Sequence, residues 1–123
     1  ALDALRRRGI PFGVVSSSWR WYVEHCLREL GMYEDAAVIV TGSDGLPLKP
    51  APAPYQAAAR VFRPAPPGAV LAVEDSGSGV RSAVAAGLAC AAVYNPDSGA
   101  QDLSPARWRL NSLYELPALL DGN

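Results

Sequence analysis

Side chains able to do chemistry fall at three places in this 123-residue chain. Glu74 and Asp75 stand next to each other after the apolar run 69–73, A-V-L-A-V. Two carboxylates held side by side repel each other unless one is protonated or a cation lies between them. Ser16-Ser17-Ser18 follows another apolar run, and a strand-end hydroxyl with free backbone N–H groups at a helix start makes an anion cradle. Lys49 is the only lysine, against ten arginines. A compact ammonium suits a phosphate oxygen beside a metal. Each feature also has a plain structural reading: an N-cap for the serines, a surface lysine, and a solvated loop pair for the acids. Together, hydroxyl, ammonium and carboxylates with Mg²⁺ are the parts that hold a phosphoryl group and neutralise its developing charge.

The elements that must position these groups alternate along the chain. Residues 1–8 read as a helix ending at Gly9, and 10–15 as a short buried strand that begins around Pro11. Trp19, Val23, Cys26, Leu27 and Leu30 fall at helical spacing before Gly31, and 36–41 reads as a strand closed by a Gly-Ser-Asp-Gly turn. Prolines after Lys49 lead into a helix whose apolar face is Tyr55, Ala58, Ala59 and Phe62. The strand before Glu74 is followed by a Gly/Ser turn, a helix from Val80 and a stop at Gly87. A strand over 89–94, an edge strand over 108–110 and a helical piece over 112–120 complete the series. Strands alternating with helices of about ten residues imply βαβ units and a parallel sheet, so the fold class is α/β. In such a sheet the acids lie in the crevice at the carboxyl ends of the strands, where ligands bind.

Composition bounds the rest. Half of the residues are apolar and 19% are charged, enough for one core. A net charge of −1 gives no reason to expect nucleic acid or an anionic membrane as partner. No apolar run approaches about 20 residues, and no stretch reads as a signal peptide. Arg6-Arg7-Arg8 reads as the solvated end of a helix, His25 as exposed, and Trp19, Trp21 and Trp108 as packing residues. Cys26 and Cys90 lack metal-ligand spacing and read as buried thiols of a reducing compartment, hence a cytoplasmic protein.

The order and wording of the pieces resemble the haloacid dehalogenase (HAD) superfamily, in its phosphatase and β-phosphoglucomutase-like branch. G-V-V-S-S-S resembles the second motif, L-K-P-A-P-A-P-Y the third, and V-E-D-S-G-S-G-V-R-S-A-V-A-A-G the fourth. The resemblance implies a Rossmannoid core and assigns phosphate binding to Ser16, with Ser17 beside it, and to Lys49. It makes Lys49 catalytic and gives Mg²⁺ to Glu74 and Asp75. The implied substrate is a small phosphorylated metabolite. The similarity runs from about Leu5 to about Leu120, so residues 1–123 read as a single partial core domain carrying motifs two to four.

What is missing matters as much. The family's nucleophile lies in an N-terminal D-x-D-x-[TV] motif, and no D-x-D occurs among these residues. The helical cap of this branch would also lie upstream, and residues 1–8 resemble the helix leading back from it. Ala53 stands where many relatives have Asp. Because Ala1 opens the chain inside a helix, a longer protein is expected. In the family the missing strand lies between the strand ending at Ser16 and the one ending at Asp75. Those two must then pair directly or leave a gap with unpaired backbone groups. The isolated chain is expected to be poorly stable or to self-associate through that exposed sheet edge.

Three functions are compatible with these residues. The first is a Mg²⁺-dependent phosphatase or phosphomutase working through an aspartyl-phosphate on an Asp outside this chain, which alone is inactive. The second is a non-catalytic remnant that binds phosphate or a partner. The third is a dinucleotide-binding module opening at Gly77-x-Gly79. Its third position is Ser82, and Glu74-Asp75 would face the pyrophosphate with like charge.

Overall fold

The computed structural model describes residues 2–121, the Ser98 side chain excepted. In chain order it has α1 (Leu2–Arg8), β1 (Phe12–Val15), α2 (Arg20–Glu29), β2 (Ala36–Val40) and α3 (Ala53–Arg60). Then follow β3 (Leu71–Glu74), α4 (Gly77–Ala85), β4 (Ala89–Val93), β5 (Trp108–Leu110) and α5 (Leu116–Leu120). The α/β alternation expected from the spacing is therefore present, and every strand pair is parallel.

Several boundaries move for local reasons. Strand β1 starts at Phe12 instead of Ile10, because the N–H of Ile10 donates to the Leu5 carbonyl and closes the end of α1. Helix α4 begins at Gly77, three residues before Val80. Ser76 caps it, with its hydroxyl accepting the Gly79 N–H at 3.1 Å. Strand β3 runs to Glu74, one residue past the apolar run.

The strands form two sheets, β1-β2 and β3-β4-β5. Among the described residues no strand lies between β1 and β3, and these two do not pair. Of the two outcomes open to the sequence, the gap is the one realised. Helix α3 closes it on one side, packing against β1, β2 and α4. At the gap Gly13 of β1 is exposed and Val73 of β3 is 37% exposed.

The core sits around the second sheet. Tyr55 of α3 joins Ala72, Val80, Ala83, Leu88, Cys90, Ala92 and Ala106 in one buried cluster. The first half buries Val23, Leu27 and Val40. Its tryptophans are not packing residues in this chain: Trp19 is 66% and Trp21 71% exposed. Leu30 is exposed as well, and Cys26 is only half-buried, whereas Cys90 is buried as expected. His25 is exposed. Arg6 pairs with Asp35 and Arg8 with Asp121, so the basic run ties α1 to two later turns. Among the described residues no helix is long and apolar enough to cross a membrane.

Candidate active site

The carboxyl ends of both sheets open onto one cavity of about 890 Å³. Val15, Ser16, Ser17 and Lys49 line it from the first sheet's side, Glu74 and Asp75 from the second. Tyr94, Asn95, Asn111 and Ser112 form its far wall. All five side chains singled out in the sequence thus face a common space, large enough for a small ligand.

Lys49 is not a stray surface lysine. Its side chain is 11% exposed, and its ammonium donates to the Val15 carbonyl at 3.1 Å and to Glu74 Oε1 at 2.6 Å. One cation therefore spans the gap, touching the last residue of β1 and the last residue of β3. Tyr55 completes the contact, its hydroxyl donating to the same Glu74 oxygen at 3.0 Å. Burial first, and the Glu74 carboxylate second, push the Tyr55 phenol well above its ordinary range, so it stays a donor.

The two neighbouring acids occupy different environments. Side chains alternate along a strand, so Glu74 shares the buried face of β3 with Ala72, and Asp75 follows the exposed face of Val73. Glu74 is 7% exposed and satisfied by an ammonium and a phenol. Asp75 is exposed and accepts a hydrogen bond from Asn95. The adjacent-pair picture drawn from the sequence needs that correction. It placed the strand end at Val73, and with Glu74 inside the strand the two carboxylates part.

A glycine makes room for Glu74. A Cβ built on Gly79 would lie 2.0 Å from Glu74 Oε2 and 2.1 Å from its Oε1, so any side chain there collides with the carboxylate. The first turn of α4 and the end of β3 can approach this closely only with glycine at that position.

The serine cluster has its own geometry. Ser16 Oγ accepts the Ser18 N–H at 3.1 Å, which leaves the hydroxyl proton able to donate into the cavity. Ser17 is exposed. The serines do not cap α2: its N-cap is Trp19, and the Arg20 N–H is taken at 2.9 Å by Ser43 Oγ from the turn after β2. That turn also supports the serine loop, with the Gly42 N–H donating to the Ser18 carbonyl at 2.8 Å. Asp44 braces it, its carboxyl held below the usual range chiefly by the Thr41 N–H, with Arg20 assisting.

The glycine turn is no dinucleotide cradle. The Gly79 N–H goes to Ser76 Oγ, and the Gly77 N–H donates to Gln101 Oε1 at 2.9 Å. Two first-turn donors are thus consumed internally, and Glu74 occupies the space against Gly79.

For a metal, the donors on hand are hard oxygens, which suit Mg²⁺. Among the described residues no three of His, Cys, Asp and Glu converge on one point. Asp75 offers an exposed carboxylate at the cavity mouth, so these residues fit part of a Mg²⁺ site and leave the rest to other donors.

Tyr55, Gly79 and Asn95 were not singled out as site residues. Tyr55 looked like one member of an apolar helix face, although it is the last residue of K-P-A-P-A-P-Y. Asn95 looked like loop, although an Asn-Pro pair directly after a strand signals a side-chain-stabilised turn.

Comparison with known proteins accords with this geometry. A family profile described as hydrolase, haloacid dehalogenase-like hydrolase, matches residues 1–87. YhcW of Bacillus subtilis (strain 168), which carries a provisional name as a phosphatase, is 36% identical over 98% of this chain and 55% of its own length. Validoxylamine A 7'-phosphate phosphatase of Streptomyces hygroscopicus subsp. limoneus is 31% identical over 87% of this chain and 54% of its own. The crystal structure of CbbY from Rhodobacter sphaeroides in complex with phosphate superposes with a TM-score of 0.85 at 30% identity, covering 94% of this chain and 52% of that one. The chain spans about half the length of the curated relatives it matches. With a profile match over most of its residues and that shared architecture, the chain belongs to the haloacid dehalogenase-like hydrolases.

Proposed function

We propose that the chain is the phosphate- and metal-binding part of a Mg²⁺-dependent phosphatase or phosphomutase acting on a small phosphorylated metabolite. The observation that carries this reading is the Lys49 ammonium, held between the ends of β1 and β3 at the mouth shared with Ser16 and Asp75. The match to a protein named as a phosphatase of validoxylamine A 7'-phosphate, and to a structure that holds phosphate, supports the substrate class.

In this reading the Ser16 hydroxyl and Ser17 donate to phosphate oxygens, and Lys49 places its charge beside them as negative charge builds on the transferring group. Glu74 keeps Lys49 in place and, with Tyr55, fixes its height in the cleft. Asp75 presents a carboxylate to the cation, with Glu74 next to it. Mg²⁺, when bound, supplies positive charge at the phosphoryl oxygens. The phosphoryl acceptor is an aspartate outside these residues: its carboxylate oxygen bonds to phosphorus as the bond to the substrate oxygen breaks. Water, or a substrate hydroxyl in a mutase, then takes the phosphoryl group back. No D-x-D motif occurs among these residues, and Asp3 and Asp35 are exposed and away from the cavity. The chain alone is therefore inactive.

The test is phosphate release from a panel of phosphorylated metabolites by a polypeptide extended to the length of the relatives. Mg²⁺-dependent release is expected, lowered by about 10²–10³-fold in Lys49→Ala. Release independent of Mg²⁺ and Lys49, or none at all, overturns the reading. Turnover by the 123-residue chain itself would remove the requirement for the outside aspartate.

A further inference from the structure

On the serine side of the cavity, one peptide plane sets the direction of a hydroxyl. The peptide joining Ser17 to Ser18 is trans, so its carbonyl and its N–H point opposite ways. The N–H end donates at 3.1 Å to Ser16 Oγ, which belongs to a cavity-lining residue. The carbonyl end lies against Gly42, in the turn that follows β2. A Cβ built on Gly42 would collide with the Ser17 carbonyl oxygen. It would also lie 2.9 Å from the Ser17 carbonyl carbon and 3.1 Å from the Ser18 carbonyl oxygen. All three neighbours are backbone atoms, which cannot swing aside as the end of a long side chain can. The turn itself does not call for glycine here, because its positive φ, 74°, belongs to Gly45. Close approach is what a side chain at position 42 would violate.

The two strand-end loops are bonded to each other on either side of that contact. The Ser16 N–H donates to the Val40 carbonyl at 2.9 Å, and the Gly42 N–H to the Ser18 carbonyl at 2.8 Å. Between these fixed points a side chain at position 42 would tilt the Ser17–Ser18 peptide, and the tilted N–H would carry Ser16 Oγ with it. We propose that Gly42 is a positioning residue for the Ser16 hydroxyl, its lack of a side chain setting the Ser17–Ser18 peptide plane and so the direction in which Ser16 meets a phosphate oxygen. This rests on the functional reading above.

The test uses the polypeptide extended to the relatives' length, with inorganic phosphate as the probe, titrated by calorimetry at saturating Mg²⁺. Gly42→Ala is expected to bind phosphate about tenfold more weakly, the effect of losing one hydrogen bond to a charged oxygen. Mg²⁺ titrated alone should bind Gly42→Ala with wild-type affinity, a readout that general damage to the fold would move. Ser16→Ala should show the same loss of phosphate affinity, and Gly42→Ala in the Ser16→Ala background should add nothing to it. Ser43→Ala is the control. It removes the hydroxyl that takes the Arg20 N–H and leaves the Gly42 contact, so its phosphate affinity should match the wild type. Wild-type phosphate affinity in Gly42→Ala overturns the proposal, as does equal weakening in Ser43→Ala. Additive losses in the double variant overturn it too, since the glycine then acts on something other than Ser16. Loss of Mg²⁺ binding along with phosphate binding, which an unfolded variant would give, assigns Gly42 to the fold at large and has the same consequence. A wild-type protein that binds no phosphate, or a Ser16→Ala variant that binds it unchanged, overturns the functional reading itself, which separates that failure from this one.

Discussion

The two sheets differ in how completely each is a structure by itself. The main buried cluster takes Ala72, Cys90 and Ala92 from the β3-β4-β5 sheet and Val80 and Ala83 from the helix upon it, and the most enclosed side chains, Val80, Cys90 and Ser82, belong to that sheet or that helix. The β1-β2 sheet has two strands, an exposed Gly13 on its open edge, and helix α2 with Trp19, Trp21 and Tyr22 half or more exposed. A two-stranded sheet is marginal without further support. Here the support comes from α3, which packs against both strands, and from Lys49, which bonds across to Glu74. The same cation is thus the candidate phosphate ligand and a tie between unequal halves. A site residue that also holds the fold together cannot be read by its effect on activity alone.

The strongest way to change that comparison is to fill the gap. A polypeptide extended to the relatives' length, with a strand between β1 and β3, is expected to unfold cooperatively and at least about 10 °C above the 123-residue chain in calorimetry. The shorter chain should also self-associate through its open edge in sedimentation experiments. Equal, cooperative, monomeric behaviour of the two would show that the halves need no third partner.

Cutting the tie is the next largest effect. Lys49→Met leaves the buried Glu74 carboxylate without its cation, at a cost of about 3–5 kcal/mol in urea unfolding of the extended protein. Adding Glu74→Gln should restore much of that loss by removing the stranded charge, although activity stays low. If the double variant is no more stable than Lys49→Met, the tie is not electrostatic.

The smallest effect sharpens the picture of the better-packed half. Burial first, with Glu74 second, pushes the Cys90 thiol from 9.0 to about 11. The Tyr55 phenol is raised as well. Groups whose folded values are raised stabilise fully below their unfolded values and lose that contribution as pH climbs through the folded ones. Stability should therefore fall between about pH 9 and 11, less steeply in Cys90→Ala. A flat profile over that range would mean Cys90 is not enclosed. Tyr55→Phe removes one hydrogen bond to a charged oxygen and should cost about 1.5–3 kcal/mol near neutral pH.

How much was legible follows from how local each signal is. Apolar runs, glycine stops and proline positions are properties of a few consecutive residues, and the sequence placed every strand to within two residues on that basis. Ser16, Ser17, Lys49, Glu74 and Asp75 line one cavity because strand ends in a parallel sheet converge on one crevice. The separate roles of Glu74 and Asp75 turned on a single residue of strand length, since each added residue reverses the face. Trp19 and Trp21 were misjudged because a place on a helix shows which residues share a face but not whether anything covers it, whereas Trp108 is half-buried on β5. Tyr55 and Asn95 act through partners 19 and 20 positions away, a separation at which no local pattern speaks.

By itself, then, the sequence determined the α/β order, the parallel strands and the three motifs that line one cavity, because period, turn chemistry and motif wording are encoded within short stretches. Only the tertiary structure decided that the sheet is divided, that Lys49 bridges the division, and that Glu74 is spent on that bridge while Asp75 lies on the exposed side beside Asn95. Those outcomes depend on which distant groups come within about 3 Å of one another, and hydrogen-bond and ion-pair energies vanish or dominate over that distance.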